Sequence, residues 1–367
     1  MKKKLNLTQV AKHIGVSIAT VSNAFNRPDQ LSAKLRQRIL DESAKLGYHG
    51  PNLAARSLRM GESGIIGVML TDTLSYTFSD QVASQFLRGI SEVLVDHRKQ
   101  LLLLSCNGNS IEQSSAESLP DGFIIYGSIP QQNLLTLARL NKPLVKADTP
   151  AGDTQSVNIN NESAAKAIAH HAFNNSISKE KIANHTANEQ SNEHAINVSV
   201  MGLRLVDAQR VTRLTNDDLG AVFQQLSYDR LMGYMQAAEE NDIEIPLNRI
   251  WHIPVNDMVL GEIAAREALT TSPRPNVLLC MSDILALSAL KVARELGIRV
   301  PQDVQITGFD DIPEAARSEP TLTTICQQSI EKGRIAANLL LESLKQGDTN
   351  KHIELDTRLV VRGSCPD

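Results

Sequence analysis

Between Ser17 and Asn26 the chain reads SIATVSNAFN, and its polar members are small hydroxyls and amides: Ser17, Thr20, Ser22, Asn23 and Asn26. On a helix Val21 and Phe25 stand four apart and turn inward together. Ile18, Ala19, Thr20, Ser22, Asn23 and Asn26 are left for the other faces. Uncharged donors and acceptors on a short helix can match base edges in a DNA groove. The surrounding charge agrees with that chemistry. Residues 1–60 hold eleven Lys and Arg against three acids, a net +8, which leaves −12 on the remainder for a total of −4. A basic end can meet phosphates, while an acidic body stays soluble and repels the polyanion.

The elements that must position this helix are legible beside it. Thr8 can cap a first helix whose Val10, Ala11 and Ile14 share a face, and Gly15 permits a tight turn before Ser17 caps the second. After NRPDQ, Ser32 caps a third helix carrying Leu35, Ile39 and Leu46, and Gly47 closes it. The spacing predicts a three-helix unit over residues 1–48. Pro51 stops the preceding helix, and Asn52 can cap a short one through Leu53, Ala54, Ala55, Arg56, Ser57 and Leu58 before Gly61 and Gly64 break it. Such a helix is too short to stand alone in water, so residues 49–62 read as a linker that orders only against another surface.

From Gly64 onward buried strands alternate with amphipathic helices. GIIGVML, QLLLLSC, DGFIIYG and KPLVKAD form one series, and INVSVMG, RIWHIPV, NVLLCMSD and DVQITGFD form a second. This is the pattern of parallel sheets covered on both faces, and two series imply two doubly wound lobes with a ligand cleft where strand C-termini meet. No G-x-G-x-x-G follows the first strand, and neither a phosphate-binding G-x-x-x-x-G-K-[ST] nor a nucleophile elbow occurs, so no catalytic residues and no cofactor are expected. Cys106, Cys280, Cys326 and Cys365 show no metal or disulfide spacing. The polar stretch over residues 174–195, with His185, Glu189, Glu193 and His194, lacks ligand spacing too and reads as a solvated insertion. Apolar runs such as Leu101–Leu104 fall far short of the roughly 20 residues that span a bilayer. The lysine-led N-terminus has no signal-peptide core, so a cytoplasmic protein with no membrane partner is expected.

From Leu7 to Leu58, the segments TQVAKHIGVSIATVSNAFN, LSAKLRQRILDESAKLGY and PNLAARSLR resemble, in order and spacing, the head and hinge of the LacI/GalR family of bacterial transcriptional repressors. The resemblance continues through SYDRLMGYMQAAEE, SPRPNVLLCMSD, LGIRVPQDVQITGFDDIP and PTLTTICQ, nearly the whole chain. It implies an all-α helix-turn-helix head plus an α/β body, with two lobes like those of a periplasmic-binding-protein fold. One lobe is expected over 63–165 with about 305–325, the other over 166–304 with about 326–367. It also implies a homodimer on a pseudo-palindromic double-stranded operator and a small-molecule effector, a sugar or nucleoside-like metabolite, bound between the lobes.

Residue by residue, the resemblance places Ile18, Ala19 and Asn23 among the groups that distinguish operators, within a DNA-facing set that includes Thr8, Ser17, Thr20, Ser22 and Asn26. It puts Leu58, with Ala55 and Arg56 nearby, as a minor-groove wedge that kinks the duplex. Arg230 matches an effector-gripping arginine, with an inter-lobe ion pair as the alternative; Asp283 matches an acceptor of ligand hydroxyls, with a helix cap as the alternative. Tyr76 and Phe78 could stack on a ligand or sit in the core, and Asp80 could cap the next helix. Tyr126, Ser128 and Asn256 face the expected cleft. Besides the polar stretch over 174–195, longer than the family's connection there, two departures stand out. Ser282 replaces the family's asparagine before Asp283, and Asn23 stands where the family usually has arginine. Arginine suits guanine O6 and N7, whereas asparagine suits adenine N6 and N7, so Asn23 is expected to read an adenine or to bond a phosphate.

Overall fold

The computed structural model describes residues 5–50, 62–105, 119–128, 131–149, 152–186, 196–218, 225–347 and 350–367. They fall into two compact units, one built on the N-terminal residues through Ile65 together with Asp121, the other on the rest from Ile66. The linker residues expected to carry Ala55, Arg56 and Leu58 lie outside the described residues.

The first unit contains α1 (Leu7–Ile14), α2 (Ile18–Asn26), a 3-10 turn at Pro28–Gln30 and α3 (Ala33–Lys45). Val10, Ala11 and Ile14 of α1 pack against Val21 and Ala24 of α2, Ile39 of α3 and Tyr48. Phe25 is only half-buried and meets the Tyr48 ring edge-on, with centroids 5.6 Å apart. The first cap differs from the sequence expectation. Asn6, not Thr8, caps α1: its side chain accepts from Gln9 N while the Gln9 side chain accepts from Asn6 N. A cap that can close this reciprocal box satisfies two orphan donors, and glutamine stands three residues after Asn6 but not after Thr8. Ser17 and Ser32 cap α2 and α3, and Gly15 takes the left-handed conformation at φ 76°.

Among its described residues the second unit holds two large sheets. The first has strand order β12-β5-β4-β3-β1-β2, built from β1 (Ile65–Leu70), β2 (Gln100–Ser105), β3 (Gly122–Tyr126), β4 (Leu144–Ala147), β5 (Ser156–Ile159) and β12 (His352–Leu355). The second has order β10-β9-β6-β8-β7, built from β6 (Val198–Leu203), β7 (Thr212–Arg213), β8 (Ile250–Ile253), β9 (Val277–Cys280) and β10 (Gln305–Thr307). Its members run parallel except for the short edge pair β7–β8. An antiparallel ribbon joins β11 (Thr324–Cys326) to β13 (Arg358–Val360). The central strands are apolar and buried, as a sheet covered by helices on both faces requires.

The return crossings run opposite to the lobe bounds that the resemblance implies, although β10 keeps the place that the run DVQITGFD has in the second series. Residues 305–307 do not join the first lobe: β10 pairs with β9 in the second sheet, Ile306 opposite Leu278. Nor does most of 326–367 join the second. The helix Ser329–Gln346 buries Ala336, Ala337 and Leu340 against Ile66, Phe86 and Ile90 of the first lobe, and β12 adds to that sheet beside β5. Only the end of the chain goes back, placing Cys365 in the second lobe's core. Alternation of strands and helices specifies a layered fold but not which sheet a late strand joins; pairing register decides that.

Each lobe is locked by a close helix crossing. A Cβ on Gly89, in the helix Gln81–Asp96, would lie 1.9 Å from Ile330 O, and one on Gly333 would lie 2.1 Å from Phe86 O. In the second lobe a Cβ on Gly233 would meet Glu162 O at 2.2 Å. Gly89→Ala is therefore expected to force the two helices apart and destabilise the body by about 1–3 kcal/mol, read as a lowered Tm in thermal unfolding.

Candidate functional site

Two surfaces concentrate hydrogen-bonding groups that packing alone does not require. The first is the outer face of α2. Val21 and Ala24 point into the head core, which leaves Ile18, 46% exposed, with Ala19 and Asn26 also exposed and Thr20, Ser22 and Asn23 half-buried. Ser17 Oγ accepts from Thr20 N and lies 2.7 Å from Thr20 Oγ1, so both hydroxyls serve the cap while remaining at the surface. Asn26 Nδ2 donates to Ser22 O at 3.0 Å. Asn23 Nδ2 donates out of the helix to Gln30 Oε1, also at 3.0 Å. Thr8 is exposed on α1.

The second is a cavity of about 160 Å³ where strand C-termini of both sheets converge. Residues just past β1 (Thr71, Asp72), β3 (Gly127, Ser128) and β4 (Asp148) line one side. Arg204 after β6, Asn256 after β8, Ser282 after β9 and Asp310 after β10 line the other, with Gln327 following β11. This is the position predicted for a ligand in an open parallel sheet.

The cavity's charges are arranged with care. Arg204 makes a two-pronged contact with Asp72, NH2 to Oδ1 at 2.9 Å and NH1 to Oδ2 at 3.3 Å, and its guanidinium lies 5.6 Å from the Tyr76 ring centroid. Burial pulls the Arg204 pKa down, but the Asp72 hydrogen bonds raise it above the ordinary value. Tyr76 OH donates to Asp80 Oδ2 at 3.2 Å; burial first, then the Asp80 charge, push this phenol up so that it stays a neutral donor. Burial and the Asp148 charge do the same to Tyr126, which stacks on Phe86 at 4.5 Å.

Deeper in, Arg230 donates from Nε to Asn161 Oδ1 at 3.0 Å and from NH1 to Met281 O, lies over the Phe309 ring, and approaches Asp310 Oδ1 to 3.7 Å. Gln327 Nε2 donates to the same Asp310 oxygen at 2.7 Å, while Gln327 Oε1 accepts from the fully buried Lys332 Nζ at 3.0 Å. Lys332 completes the line by bonding Asp148 Oδ1 at 2.6 Å. Three of these charged residues, Asp148 (φ 54°), Arg204 (φ 51°) and Asp310 (φ 130°), hold positive φ, a conformation that costs a non-glycine residue about 1–3 kcal/mol and marks a site over-determined by its surroundings. His252 supports the Arg204 turn from behind: its Nδ1 accepts from Leu205 N and Val206 N, its Nε2 donates to Ala208 O, and burial lowers its pKa so that the ring stays neutral.

Of the sequence-predicted cleft residues, the structure brings together Tyr76, Tyr126, Ser128, Arg230 and Asn256, and Asp80 both caps the helix Gln81–Asp96 and lines the cavity. Phe78 is placed elsewhere, 65% exposed, because the helix Leu74–Ser79 turns Tyr76 and the buried Thr77 inward instead. Asp283 does not line the cavity and does not cap a helix. It is wholly buried, accepting from Thr324 Oγ1 at 2.5 Å and Ile312 N at 2.8 Å. Ser282 caps that helix, and its Oγ also donates to Asn256 Oδ1 at 2.6 Å in the cavity wall. Sequence reasoning missed Asp72, Arg204, Asp148, Asp310, Gln327 and Lys332. Four of the six carry a readable signal, a charged residue within three positions of an apolar strand's end, in MLTD, GLR, KAD and TGFD. Gln327 and the helix-borne Lys332 carry none. Among the described residues no cluster of His, Cys, Asp and Glu could hold a metal, and no helix is long and apolar enough to cross a membrane.

With this geometry established, comparison with known proteins gives consistent matches. Residues 6–52 match the model for bacterial regulatory proteins of the lacI family, and residues 207–365 match the periplasmic binding protein-like domain. An HTH-type transcriptional regulator of Mycobacterium tuberculosis is 32% identical over 372 residues, covering 98% of this chain and 96% of its own. A LacI-family regulator of Corynebacterium glutamicum superposes with TM-score 0.67 at 26% identity, covering 98% of each chain. The lac repressor dimer bound to operator and an anti-inducer superposes with TM-score 0.70 at 21% identity over the whole of both chains.

Burial raises the Asp283 pKa from 3.8 to about 6. It pushes Asp310 upward too, Arg230 opposing and the Asp283 charge reinforcing. A carboxyl whose folded pKa exceeds its unfolded one stabilises the fold below the unfolded value and loses that contribution as pH rises through the folded value. The contribution of Asp283 to the body's stability should therefore be lost between about pH 4 and 6. Asp283→Asn, which retains an acceptor for Ile312 N, should flatten that slope in a pH series of thermal melts; an unchanged slope would show that Asp283 does not titrate there.

Proposed function

We propose that this chain, a member of the LacI family of bacterial transcriptional regulators, is a repressor whose operator affinity is set by an uncharged, polyhydroxylated small molecule in the cavity between its two sheets. Its DNA-binding and effector-type domains are those of a transcriptional regulator, and it is not an enzyme. The observation that carries the effector class is the pairing, among the described residues, of the cations in and behind the cavity wall. Arg204 is spent on Asp72, Arg230 lies against Asp310, and Lys332 is spent on Asp148. Asp80, Asp148 and Asp310 still have lone pairs to offer, together with the Tyr126 and Ser128 hydroxyls. Such walls accept from hydroxyl groups and, among the described residues, offer no unpaired cation to a phosphate or carboxylate, which favours a sugar, cyclic polyol or nucleoside over its phosphorylated form.

On the DNA side, α2 occupies the major groove with Ile18, Ala19, Thr20, Ser22, Asn23 and Asn26 toward the bases, and Thr8 and Ser17 toward the backbone. Asn23 reads an adenine where an arginine would read guanine. Leu58, flanked by Ala55 and Arg56, acts as the minor-groove wedge.

A homodimer is needed to match a two-fold operator. One surface of the second lobe fits that need. The helix Met258–Thr270 exposes Val259 (69%) and Ile263 (46%), apolar groups that a soluble surface rarely presents side by side.

The function is tested on purified protein with its own promoter DNA and a panel of sugars, polyols and nucleosides, each paired with its phosphate ester. The full chain should shift the DNA, and a chain lacking residues 1–60 should not. A neutral member of the panel should raise Tm by mass action and alter the shift, while its phosphate ester should do neither. Stabilisation by the phosphorylated member alone would overturn the proposed effector class. Val259→Asp combined with Ile263→Asp should give a monomer by sedimentation, with operator affinity reduced at least tenfold because one head must then bind alone.

A further inference from the structure

The contact between Asn23 and Gln30 differs from the other side-chain bonds on the outer face of α2. Those of Ser17, Thr20 and Asn26 close on neighbours within the helix or its cap. Asn23 instead donates to a side chain seven residues away, at the end of the 3-10 turn that follows the helix. That turn is fixed by the backbone. Arg27 N donates to Asn23 O at 2.8 Å, Gln30 N donates to Arg27 O at 3.1 Å, and the next residue, Leu31, packs against the head core. Gln30 thus starts from a defined point beside the helix, and its amide reaches Asn23 across a short gap.

A primary amide has two N–H donors and an oxygen with two lone pairs, and its terminal torsion has two nearly equivalent settings half a turn apart. Gln30 presents its oxygen to Asn23 and so takes one N–H. What remains free on Asn23 is one N–H and Oδ1, the donor and acceptor that match adenine N7 and N6. With a donor presented from position 30 instead, Asn23 would turn its oxygen away from the base and leave two N–H groups outward, which match the guanine acceptors O6 and N7.

We propose that Gln30 is a specificity-determining positioning residue: by holding the Asn23 amide in one orientation it makes the head prefer adenine over guanine at the half-site position under Asn23. This rests on the reading of Asn23 as a base contact, and the test separates the two. The full-length protein is bound to synthetic operators differing only in adenine or guanine at each half-site position, and the ratio of affinities is measured, so that non-specific phosphate attraction cancels. Asn23→Ala should abolish the preference at one position, which identifies it. At that position Gln30→Ala should reduce the adenine preference by on the order of tenfold. Gln30→Glu, an obligate acceptor, should preserve it although overall affinity falls. Gln30→Lys, an obligate donor, should shift the preference toward guanine. In the Asn23→Ala background all three should leave the ratio unchanged. Gln30 variants that keep the wild-type ratio while Asn23→Ala destroys it would overturn the role of Gln30 alone. An Asn23→Ala protein with an unchanged ratio would overturn both readings.

Discussion

The body is organised around a line of buried polar groups where the chain crosses between its sheets: Arg230, Asp310, Gln327, Lys332 and Asp148. Lys332 is the most demanding member. It sits with no solvent exposure on a helix that otherwise buries Gly333, Ala336, Ala337 and Leu340, and an isolated cation there would cost several kcal/mol. Asp148 and Gln327 offset that cost only at hydrogen-bonding distance, and Gln327 reaches Lys332 while bonded to Asp310. Asp148 follows a strand of the first sheet and Asp310 a strand of the second. The two lobes are held in register by groups that cannot be left unpaired. Apolar contacts tolerate sliding; a directional bond between buried charges does not.

The same constraint explains where strain is stored. Asp148 and Asp310 must aim carboxylates sideways from the ends of parallel strands, and Arg204 must turn back toward Asp72. Positive φ at each position is the local cost of that aim, and the surrounding bonds over-determine it: Asp310 N donates to Ile325 O, and Asp148 N to Val157 O. The glycine-locked crossings at Gly89–Ile330 and Gly233–Glu162 give each lobe a rigid flank from which such positions can be set.

Much of this architecture is legible in the sequence, and the failures share a cause. The head is readable because its signals are local: Ser17 and Ser32 cap, Gly15 turns, and Val10, Ile14 and Val21 repeat with helical spacing. Even there Thr8 lost to Asn6, since both are good caps and only the reciprocal bond with Gln9 separates them. The eight principal strands are readable from apolar runs. The run DVQITGFD falls in its proper series, but the chain's return to the first sheet is not readable, because β12 is short and HIEL carries no mark of its partner. In the cavity, aromatic and arginine candidates were visible, whereas Lys332 reads as a surface lysine on an amphipathic helix until tertiary contacts bury it. Asp283 illustrates the reverse: a strand-end aspartate with the features of a ligand acceptor is consumed internally by Thr324 and Ile312.

The polar line also bears on how a ligand could be sensed. Asp148 and Asp310 each have one oxygen engaged behind the cavity wall and both line the cavity. A hydroxylated molecule bonding both carboxylates would connect the lobes a second time, through the ligand as well as through Gln327 and Lys332. A ligand controls DNA binding only to the extent that it prefers one lobe arrangement over another. With closely fitted bonds on both routes, a small change in lobe angle breaks one set or the other, which favours discrete arrangements over graded ones. On the proposed function, a ligand that bonds carboxylates of both lobes at once would convert occupancy into a preference for one arrangement.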